Sequence, residues 1–163
     1  RDLAVNHGYR LAGQRVLLLG AGGAARGVLQ PLLVEKPAQL VIANRSAGKA
    51  LELALRFRDL GRVSASGFAE LAGRQFDLIV NATAAGLSDT APPLPAGVLA
   101  ADGWCYDLMY GSEPTAFVRW GREQGAARSL DGLGMLVEQA AESFHLWRGV
   151  WPETGLIIAA LRG

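Results

Sequence analysis

A glycine-rich turn between an apolar strand and a helix constrains this 163-residue chain more than any other feature. Residues 16–19 are wholly apolar, which is typical of a short strand covered on both faces. Residues 20–25 follow directly and read Gly-Ala-Gly-Gly-Ala-Ala, and residues 24–34 favour a helix. The pattern G-x-G-x-x-A lets the backbone turn tightly and approach a pyrophosphate closely. We therefore expect N–H groups at this helix start to bind a dinucleotide.

Glycines also serve tight turns and close packing without any ligand. The strand before the turn, the helix after it and a second strand behind it favour binding over that structural alternative.

Apolar runs and helical segments alternate along the whole chain, which predicts a parallel sheet wrapped by helices. The predicted strands cover 16–19, 40–43, 62–65, 76–80, 104–108 and 127–129. The predicted helices cover 24–34, 47–60, 115–124, 133–147 and 152–161, the last with Pro152 in its first turn. Residues 87–97 are rich in polar residues and proline and predict an irregular loop. The expected fold is α/β, a doubly wound Rossmann-type, mostly parallel sheet with helices on both faces, in one domain over 1–163.

The end of the second strand indicates which dinucleotide fits. An NAD site usually carries Asp or Glu about 20 residues beyond the glycines. Here the strand is followed by Asn44, Arg45 and Ser46, with Lys49 one turn on. Arg45 and Lys49 can neutralise a 2′-phosphate, and Ser46 can cap the helix or bind the same phosphate. This pattern predicts NADP, although a solvated Arg and Lys on a surface helix is the alternative.

Charge and composition bear on which partners, membrane segments and metal sites the chain could have. The formal net charge of +1 predicts no general attraction to nucleic acid or to a membrane surface. No apolar run approaches the roughly 18–20 residues of a membrane span. A single cysteine, Cys105, argues against an internal disulfide and against a metal site, and it fits a reducing, cytoplasmic setting.

Five segments together resemble the shikimate dehydrogenase family. They begin at Gly20 (Gly-Ala-Gly-Gly-Ala-Ala-Arg-Gly), Asn44 (Asn-Arg-Ser), Asn81 (Asn-Ala-Thr-Ala-Ala-Gly), Tyr106 (Tyr-Asp-Leu-Met-Tyr) and Asp131 (Asp-Gly-Leu-Gly-Met-Leu-Val-Glu-Gln-Ala-Ala). The last is the most specific, because ordinary dinucleotide-binding domains have no reason to carry it. The match follows the family's order through essentially the whole chain.

The resemblance implies NADPH-dependent reduction of 3-dehydroshikimate to shikimate, in aromatic amino-acid biosynthesis. It places the pyrophosphate on Gly20, Ala21, Gly22, Gly23 and Ala24. It places the 2′-phosphate among Asn44, Arg45, Ser46 and Lys49. It brings Thr83, Leu108 and Gly132 to the cofactor, the last two near the nicotinamide. Tyr110 and Gln139 would face the substrate, whose hydroxyl groups suit their polar ends. Without the resemblance, each would be an ordinary half-buried tyrosine or exposed helix residue.

Family members use a lysine and an aspartate for proton transfer, both in an N-terminal substrate domain. The resemblance matches neither to this chain, so no catalytic residue is assigned here. Residues 1–13 would be the start of a linking helix, and the C-terminal helices in 131–163 would pack towards that missing domain. We expect the chain alone to bind NADP(H) without reducing 3-dehydroshikimate. The oligomeric state stays open, a homodimer included.

Two alternatives remain. A quinate/shikimate dehydrogenase of broader specificity tends to carry an Asp near Arg45 and to accept NAD, so residues 44–46 count against it. A non-catalytic dinucleotide-sensing module would also lack a catalytic half. The retained Tyr110 and Gln139 count against the sensor, which needs no substrate contacts.

Overall fold

The computed structural model of the chain describes residues 1–83 and 90–163. Within these residues, six strands form one parallel sheet in the order β3-β2-β1-β4-β5-β6. The strands are β1 (Arg15–Leu19), β2 (Gln39–Ala43), β3 (Val63–Ser66), β4 (Phe76–Asn81), β5 (Leu99–Asp107) and β6 (Arg128–Leu130). This order is the one typical of Rossmann domains. The predicted fold class is confirmed.

Helices connect and flank the strands. The α-helices are α1 (Gly23–Val34), α2 (Ala47–Phe57), α3 (Ala116–Glu123), α4 (Leu133–Arg148) and α5 (Thr154–Arg162). Short 3₁₀ turns lie at Arg58–Leu60 and Ala69–Leu71, and a π-helical turn covers Asp2–Asn6. None of the helices in the described ranges has the length and apolar character that a bilayer crossing requires.

The central strands β1 and β2 carry apolar runs on both faces, as expected where helices cover both sides of a sheet. Four successive residues of β1 and four of β2 are wholly buried. On one face, alternate strand residues such as Leu17, Val41 and Ile79 join a cluster with Phe117 of α3. This packing holds the carboxyl ends of the strands at one edge of the sheet, where the predicted binding residues of β1, β2, β4 and β5 begin.

The chain divides into two compact units. We call Leu11–Asp131, which contains the sheet, the sheet unit. We call Arg1–Arg10 together with Gly132–Gly163 the terminal unit. The prediction of one domain over 1–163 stays a prediction.

Both ends of the chain build the terminal unit. Glu138 of α4 is buried, and its carboxylate accepts hydrogen bonds from Arg1 Nε at 2.6 Å and Asn6 Nδ2 at 3.1 Å. The buried carboxylate of Asp2 lies against Gly134, where a Cβ would overlap it. Burial raises the pKa of Glu138, but hydrogen bonds from Thr154, Asn6 and Arg1 outweigh burial, so the pKa is lowered overall.

Several boundaries differ from the sequence predictions. The α2 helix ends at Phe57 and tightens into a 3₁₀ turn. The α5 helix begins at Thr154 because Glu153 is extended, with ψ of 103°, so Pro152 precedes the helix. At the N-terminus the helical turn stops at Asn6, and Gly8 then has a φ of +67° that no right-handed helix accommodates.

The fifth strand shows the largest difference, because it begins at Leu99 and not near 104. Phe76 pairs with Leu99, whereas Leu78 already pairs with Trp104, so β5 carries a bulge in between. Asp102 within the bulge has a positive φ of 59°. Residues 84–89 of the sequence, which include the second half of the Asn81 motif and part of the predicted 87–97 loop, lie outside the described residues. Residues 90–95 have no regular secondary structure, as predicted.

Candidate functional site

The turn after β1 lies where the strand order reverses, which is where open α/β sheets bind ligands. Gly20 donates its N–H to the Ala43 carbonyl of β2 at 2.8 Å. Its φ is +103°, and a Cβ there would lie 2.9 Å from the Ala82 carbonyl oxygen. Gly20 is therefore required by the fold itself, since both its backbone conformation and its close approach to the end of β4 exclude a side chain.

Gly22 and Gly23 differ from Gly20 in this respect. Counting only the described ranges 1–83 and 90–163, a Cβ at either position would meet nothing within 4 Å, and neither φ is positive. Gly22 takes φ −88° and ψ −165°, an extended conformation open to any residue. The part of the chain that the structure describes therefore gives no internal reason for glycine at these two exposed positions. A ligand that must touch the backbone supplies one.

The start of α1 is suited to such a ligand. Gly22 is the N-cap, and no side chain caps the helix. The first turn of a helix has N–H groups without intrahelical partners, and the helix dipole adds partial positive charge. Gly22, Gly23 and Ala24 are exposed, and Ala21 is half-buried. The glycine-turn residues thus present N–H groups and open backbone, which fit an anionic diphosphate.

The end of β2 provides positive charge beside the first-turn residues of α2. Arg45, Ser46 and Lys49 are exposed, and Asn44 is half-buried with its Nδ2 donating to the Ser46 carbonyl at 3.1 Å. Ser46 is the N-cap of α2, but its hydroxyl makes no capping bond, so that alternative for Ser46 is not realised. In residues 1–83 and 90–163, no carboxylate pairs with Arg45 or Lys49. Both cations remain available to a phosphate.

The ends of β4 and β5 carry a buried polar network that the sequence predictions did not assign. Asn81 Nδ2 donates to Asp107 Oδ1 at 3.0 Å, and Thr115 Oγ1 donates to Asp107 Oδ2 at 2.5 Å. Asn81 Oδ1 accepts from Thr83 Oγ1 at 2.7 Å. The predicted cofactor residue Thr83 is thus held by the network. Polar residues that directly follow the buried apolar runs of β4 and β5 were the available signal.

Asp107 is wholly buried, and burial is the largest influence on its carboxyl. Burial and the nearby Asp131 raise the pKa of Asp107, while hydrogen bonds from Thr115, Met109 and Asn81 oppose that rise. The net effect is a raised pKa.

The remaining residues predicted to bind cofactor or substrate are divided between the two compact units. Leu108 is half-buried in the sheet unit, and its N–H donates to the Asn81 carbonyl at 2.9 Å. Tyr110, two residues on, is exposed. Gly132 and Gln139 belong to the terminal unit, where Gly132 is the buried N-cap of α4 and Gln139 is exposed. The roles of all four stay predictions.

No metal site emerges from the described part of the chain, where no three His, Cys, Asp or Glu side chains are grouped to hold an ion. Among residues 1–83 and 90–163, the carboxyl edge of the sheet combines exposed backbone at the start of α1, two cations without a carboxylate partner and a buried polar network.

Comparison with known protein families shows the family to which this chain belongs. The profile of the family described as shikimate / quinate 5-dehydrogenase matches residues 2–88, and that of the shikimate 5′-dehydrogenase C-terminal domain matches residues 132–162. The chain belongs to the shikimate/quinate 5-dehydrogenase family. The family resemblance drawn from the five sequence segments is confirmed.

Individual proteins that are similar to this chain are named as members of the same family. The chain is 62% identical over 161 residues to a shikimate dehydrogenase (NADP(+)) of Methylococcus capsulatus, covering 99% of this chain and 58% of that protein. It is 58% identical over 162 residues to one of Nitrosococcus oceani, covering 99% of this chain and 57% of the relative. The chain thus spans less than two thirds of the length of these relatives.

Solved structures share the fold. An Ael1 enzyme from Pseudomonas putida superposes with a TM-score of 0.88 at 49% identity, covering 99% of this chain and 59% of that one. Shikimate 5-dehydrogenase from Thermus thermophilus, solved with shikimate, superposes with a TM-score of 0.77 at 34% identity. The match covers 99% of this chain and 57% of that one.

Proposed function

We propose that this chain is the NADP(H)-binding part of a shikimate dehydrogenase, an enzyme of aromatic amino-acid biosynthesis. The observation that carries the proposal is the pairing of two features at one sheet edge. One is the glycine turn, where no residue that the structure describes gives Gly22 and Gly23 a packing reason to be glycine. The other is the pair of cations Arg45 and Lys49 near the start of α2, which no described carboxylate pairs with. The NADP(+) in the names of the relatives supports the same cofactor.

Each part of the dinucleotide has a proposed contact. The N–H groups of residues 20–24 hold the pyrophosphate, because they are exposed and uncapped. Asn44, Arg45, Ser46 and Lys49 surround the 2′-phosphate, where Arg45 can form paired hydrogen bonds. Thr83, Leu108 and Gly132 contact the nicotinamide half, and Tyr110 and Gln139 contact the substrate.

When bound, NADPH supplies the hydride that reduces the ketone of 3-dehydroshikimate. The alkoxide that forms needs a proton donor within hydrogen-bond reach. We propose that this donor lies outside the 163 residues, in a substrate domain towards which the helices in 131–163 pack. That the curated relatives are longer supports this division. A cytoplasmic setting stays a prediction from the single cysteine.

Cofactor titration tests the binding part of the proposal. The chain is expected to bind NADPH at least about tenfold more tightly than NADH. The reason is that charge-assisted hydrogen bonds to the 2′-phosphate of NADPH stabilise the complex more than a neutral hydrogen bond to the 2′-hydroxyl of NADH. Arg45→Gln should remove most of that preference. Arg56→Gln, an exposed arginine at the other end of α2, is the matched control and should leave it unchanged. Equal affinity of the unaltered chain for NADPH and NADH would defeat the proposal.

A turnover assay tests whether reduction of the substrate requires residues outside this chain. The chain alone should bind NADPH yet show no reduction of 3-dehydroshikimate, and near-normal turnover would contradict the proposal. The alternative of a dinucleotide sensor is tested in the gene's upstream reading frame. In the family the proton-transfer aspartate lies in an Asn-Thr-Asp-Gly motif. That motif in the upstream frame favours the enzyme, and its absence favours the sensor.

A further inference from the structure

The carboxylate of Asp107 joins three separate parts of the sheet unit. Its Oδ1 accepts hydrogen bonds from Asn81 Nδ2 at the end of β4 and from the Met109 N–H at 3.1 Å. Its Oδ2 accepts from Thr115 Oγ1 at the start of α3. A carboxylate can only accept, and each of these neighbours supplies a donor, so all three bonds can form together. One wholly buried side chain therefore holds both ends of the segment 109–115.

Leu108 lies between two positions that this carboxylate joins. The Leu108 N–H donates to the Asn81 carbonyl at 2.9 Å, which continues the pairing of β4 with β5 by one residue. The residue before it, Asp107, and the residue after it, Met109, are hydrogen-bonded to each other. The backbone is therefore fixed on both sides of Leu108, and the backbone conformation limits the directions that a side chain can take.

The start of α3 gives the carboxylate a second support. Thr115 is the N-cap of α3, and its hydroxyl accepts from the Val118 N–H at 3.2 Å. Because that bond uses a lone pair of the hydroxyl, the hydroxyl hydrogen is available to Asp107. The helix is also held by Ser129 of β6, whose hydroxyl donates to the Val118 carbonyl at 2.9 Å. The carboxylate thus ties residues 108–110 to a packed helix as well as to β4.

We propose that Asp107 is a positioning residue, which holds Leu108 against the nicotinamide half of the bound dinucleotide. This inference rests on the proposed function, in which Leu108 contacts that half. In that function the glycine turn binds the pyrophosphate and the end of β2 binds the adenosine half, so the nicotinamide half passes over the ends of β4 and β5. Asp107 is wholly buried, so it acts through Leu108 and not by contact with the ligand. A merely structural Asp107 would stabilise the fold without favouring either half of the dinucleotide.

The first test compares NADP⁺ with adenosine 2′,5′-bisphosphate, which lacks the nicotinamide half. Thr115→Val keeps the shape of the side chain but removes the hydroxyl that donates to Asp107. It should weaken NADP⁺ binding about three- to tenfold and leave binding of the bisphosphate unchanged. Thr115→Ser retains the hydroxyl and should bind NADP⁺ as the unaltered chain does. An equal effect of Thr115→Val on both ligands, or on neither, would overturn the inference.

Ser129→Ala is the matched control, because it removes a different hydrogen bond that holds α3. Like Thr115→Val, this variant should unfold at a lower urea concentration than the unaltered chain. Unlike Thr115→Val, it should bind both ligands with unchanged affinity. If Ser129→Ala weakened NADP⁺ binding as much as Thr115→Val does, loosening of α3 would explain the loss, and the positioning role of Asp107 would be wrong.

The second test measures whether Asp107 acts through Leu108. Asp107→Asn keeps the size of the side chain but replaces one acceptor oxygen by an NH₂ group, so one of the three donors loses its acceptor. It should weaken NADP⁺ binding about threefold or more, again without effect on the bisphosphate. Leu108→Ala should also weaken NADP⁺ binding. In the double variant the loss should be smaller than the product of the two single losses, because a missing Leu108 side chain cannot be misplaced.

Single losses that multiply in the double variant would show that Asp107 and Leu108 act independently, and would overturn the positioning role. The proposed function would be defeated by a different result, namely an unaltered chain that binds neither NADP⁺ nor the bisphosphate. The variants alone decide the role of Asp107, and the unaltered chain alone decides the cofactor. The two failures are therefore distinguishable.

Discussion

Gly20 and Gly22 stand two positions apart, and each lacks a side chain for a different reason. Gly20 has a φ of +103° and lies against the Ala82 carbonyl, whereas Gly22 is extended and open on its Cβ side. Sequence reasoning found both from one motif but did not separate them. The separation needs the backbone angles and the position of β4, which come from tertiary packing.

Two alanine variants test this separation. Gly20→Ala should lower the free energy of unfolding by about 2 kcal/mol or more, because the methyl group meets the Ala82 carbonyl and φ stays positive. Gly22→Ala should leave that free energy within about 0.5 kcal/mol but weaken NADPH binding about tenfold. Urea unfolding and fluorescence titration measure the two effects. A Gly22→Ala variant with unchanged NADPH affinity would contradict the assigned role.

Cys105 gives a second prediction for a single residue. The side chain is wholly buried in β5, and burial raises the pKa of its thiol to about 12. The thiolate is the reactive form, so an aromatic disulfide reagent should label native protein at pH 8 at least about a hundredfold more slowly than urea-unfolded protein. Comparable labelling rates in the two states would show that this part of β5 opens readily.

Polar residues at strand ends mark the limit of single-residue prediction. Thr83 was assigned through the family resemblance, while Asn81, Asp107 and Thr115 received no role. Their partners come from three separate parts of the sequence, so only the paired strands reveal that they share one network.

At the level of elements, close contact between α3 and the sheet depends on a missing side chain. A Cβ on Gly121 would lie 2.5 Å from Ser129 Oγ and 2.8 Å from the Cβ of Cys105. Ser129 also donates to the Val118 carbonyl at 2.9 Å, which ties β6 to α3.

Gly121→Ala should therefore lower the free energy of unfolding by about 1–3 kcal/mol. Gly48→Ala is the matched control in α2, where a Cβ meets nothing. That change should be neutral or should stabilise by up to about 1 kcal/mol, because alanine favours helices. Equal effects of the two substitutions in thermal unfolding would contradict the packing argument.

The starts of β1 and β4 are linked by an ion pair. Asp77 accepts from Arg15 Nη2 at 2.6 Å, Arg15 Nε at 3.0 Å and the Arg15 backbone N–H at 2.8 Å. The Arg15 hydrogen bond is the main cause that lowers the pKa of Asp77, and partial burial opposes it. A lowered pKa means that the ionised form stabilises the fold.

This stabilisation is present above the ordinary pKa of 3.8 and is lost as pH falls through the lowered value. Asp77→Asn should destabilise the protein by about 1 kcal/mol at pH 7 and by progressively less below pH 4. Urea unfolding of both proteins at pH 7 and pH 3 measures this. A difference that is constant with pH would rule out the carboxylate's charge as the cause.

Strands were predicted correctly where the sequence has a continuous apolar run. A strand was missed where its conformation depends on pairing with a neighbouring strand. The strands β1, β2 and β4, each with a run of at least three apolar residues, were found within one residue. The first half of β5 was missed because Ala101, Asp102 and Gly103 resemble a turn, and only pairing with β4 makes that segment a bulged strand.

Over the whole chain, the alternation of strands and helices was enough to predict the doubly wound sheet, since right-handed crossovers permit few other arrangements. The division into two compact units had no comparable signal. It depends on contacts between the first residues and α4, and no local pattern reports pairs so distant in sequence.

The terminal unit has a consequence for how the protein forms. Arg1 and Glu138 are 137 positions apart, yet they are hydrogen-bonded. During synthesis at about 5–20 residues per second, the first ten residues wait on the order of ten seconds for their partners. The sheet unit, whose residues are complete earlier, can fold in that interval. Residues 1–10 therefore meet their partners in α4 only after the residues of the sheet unit have been made.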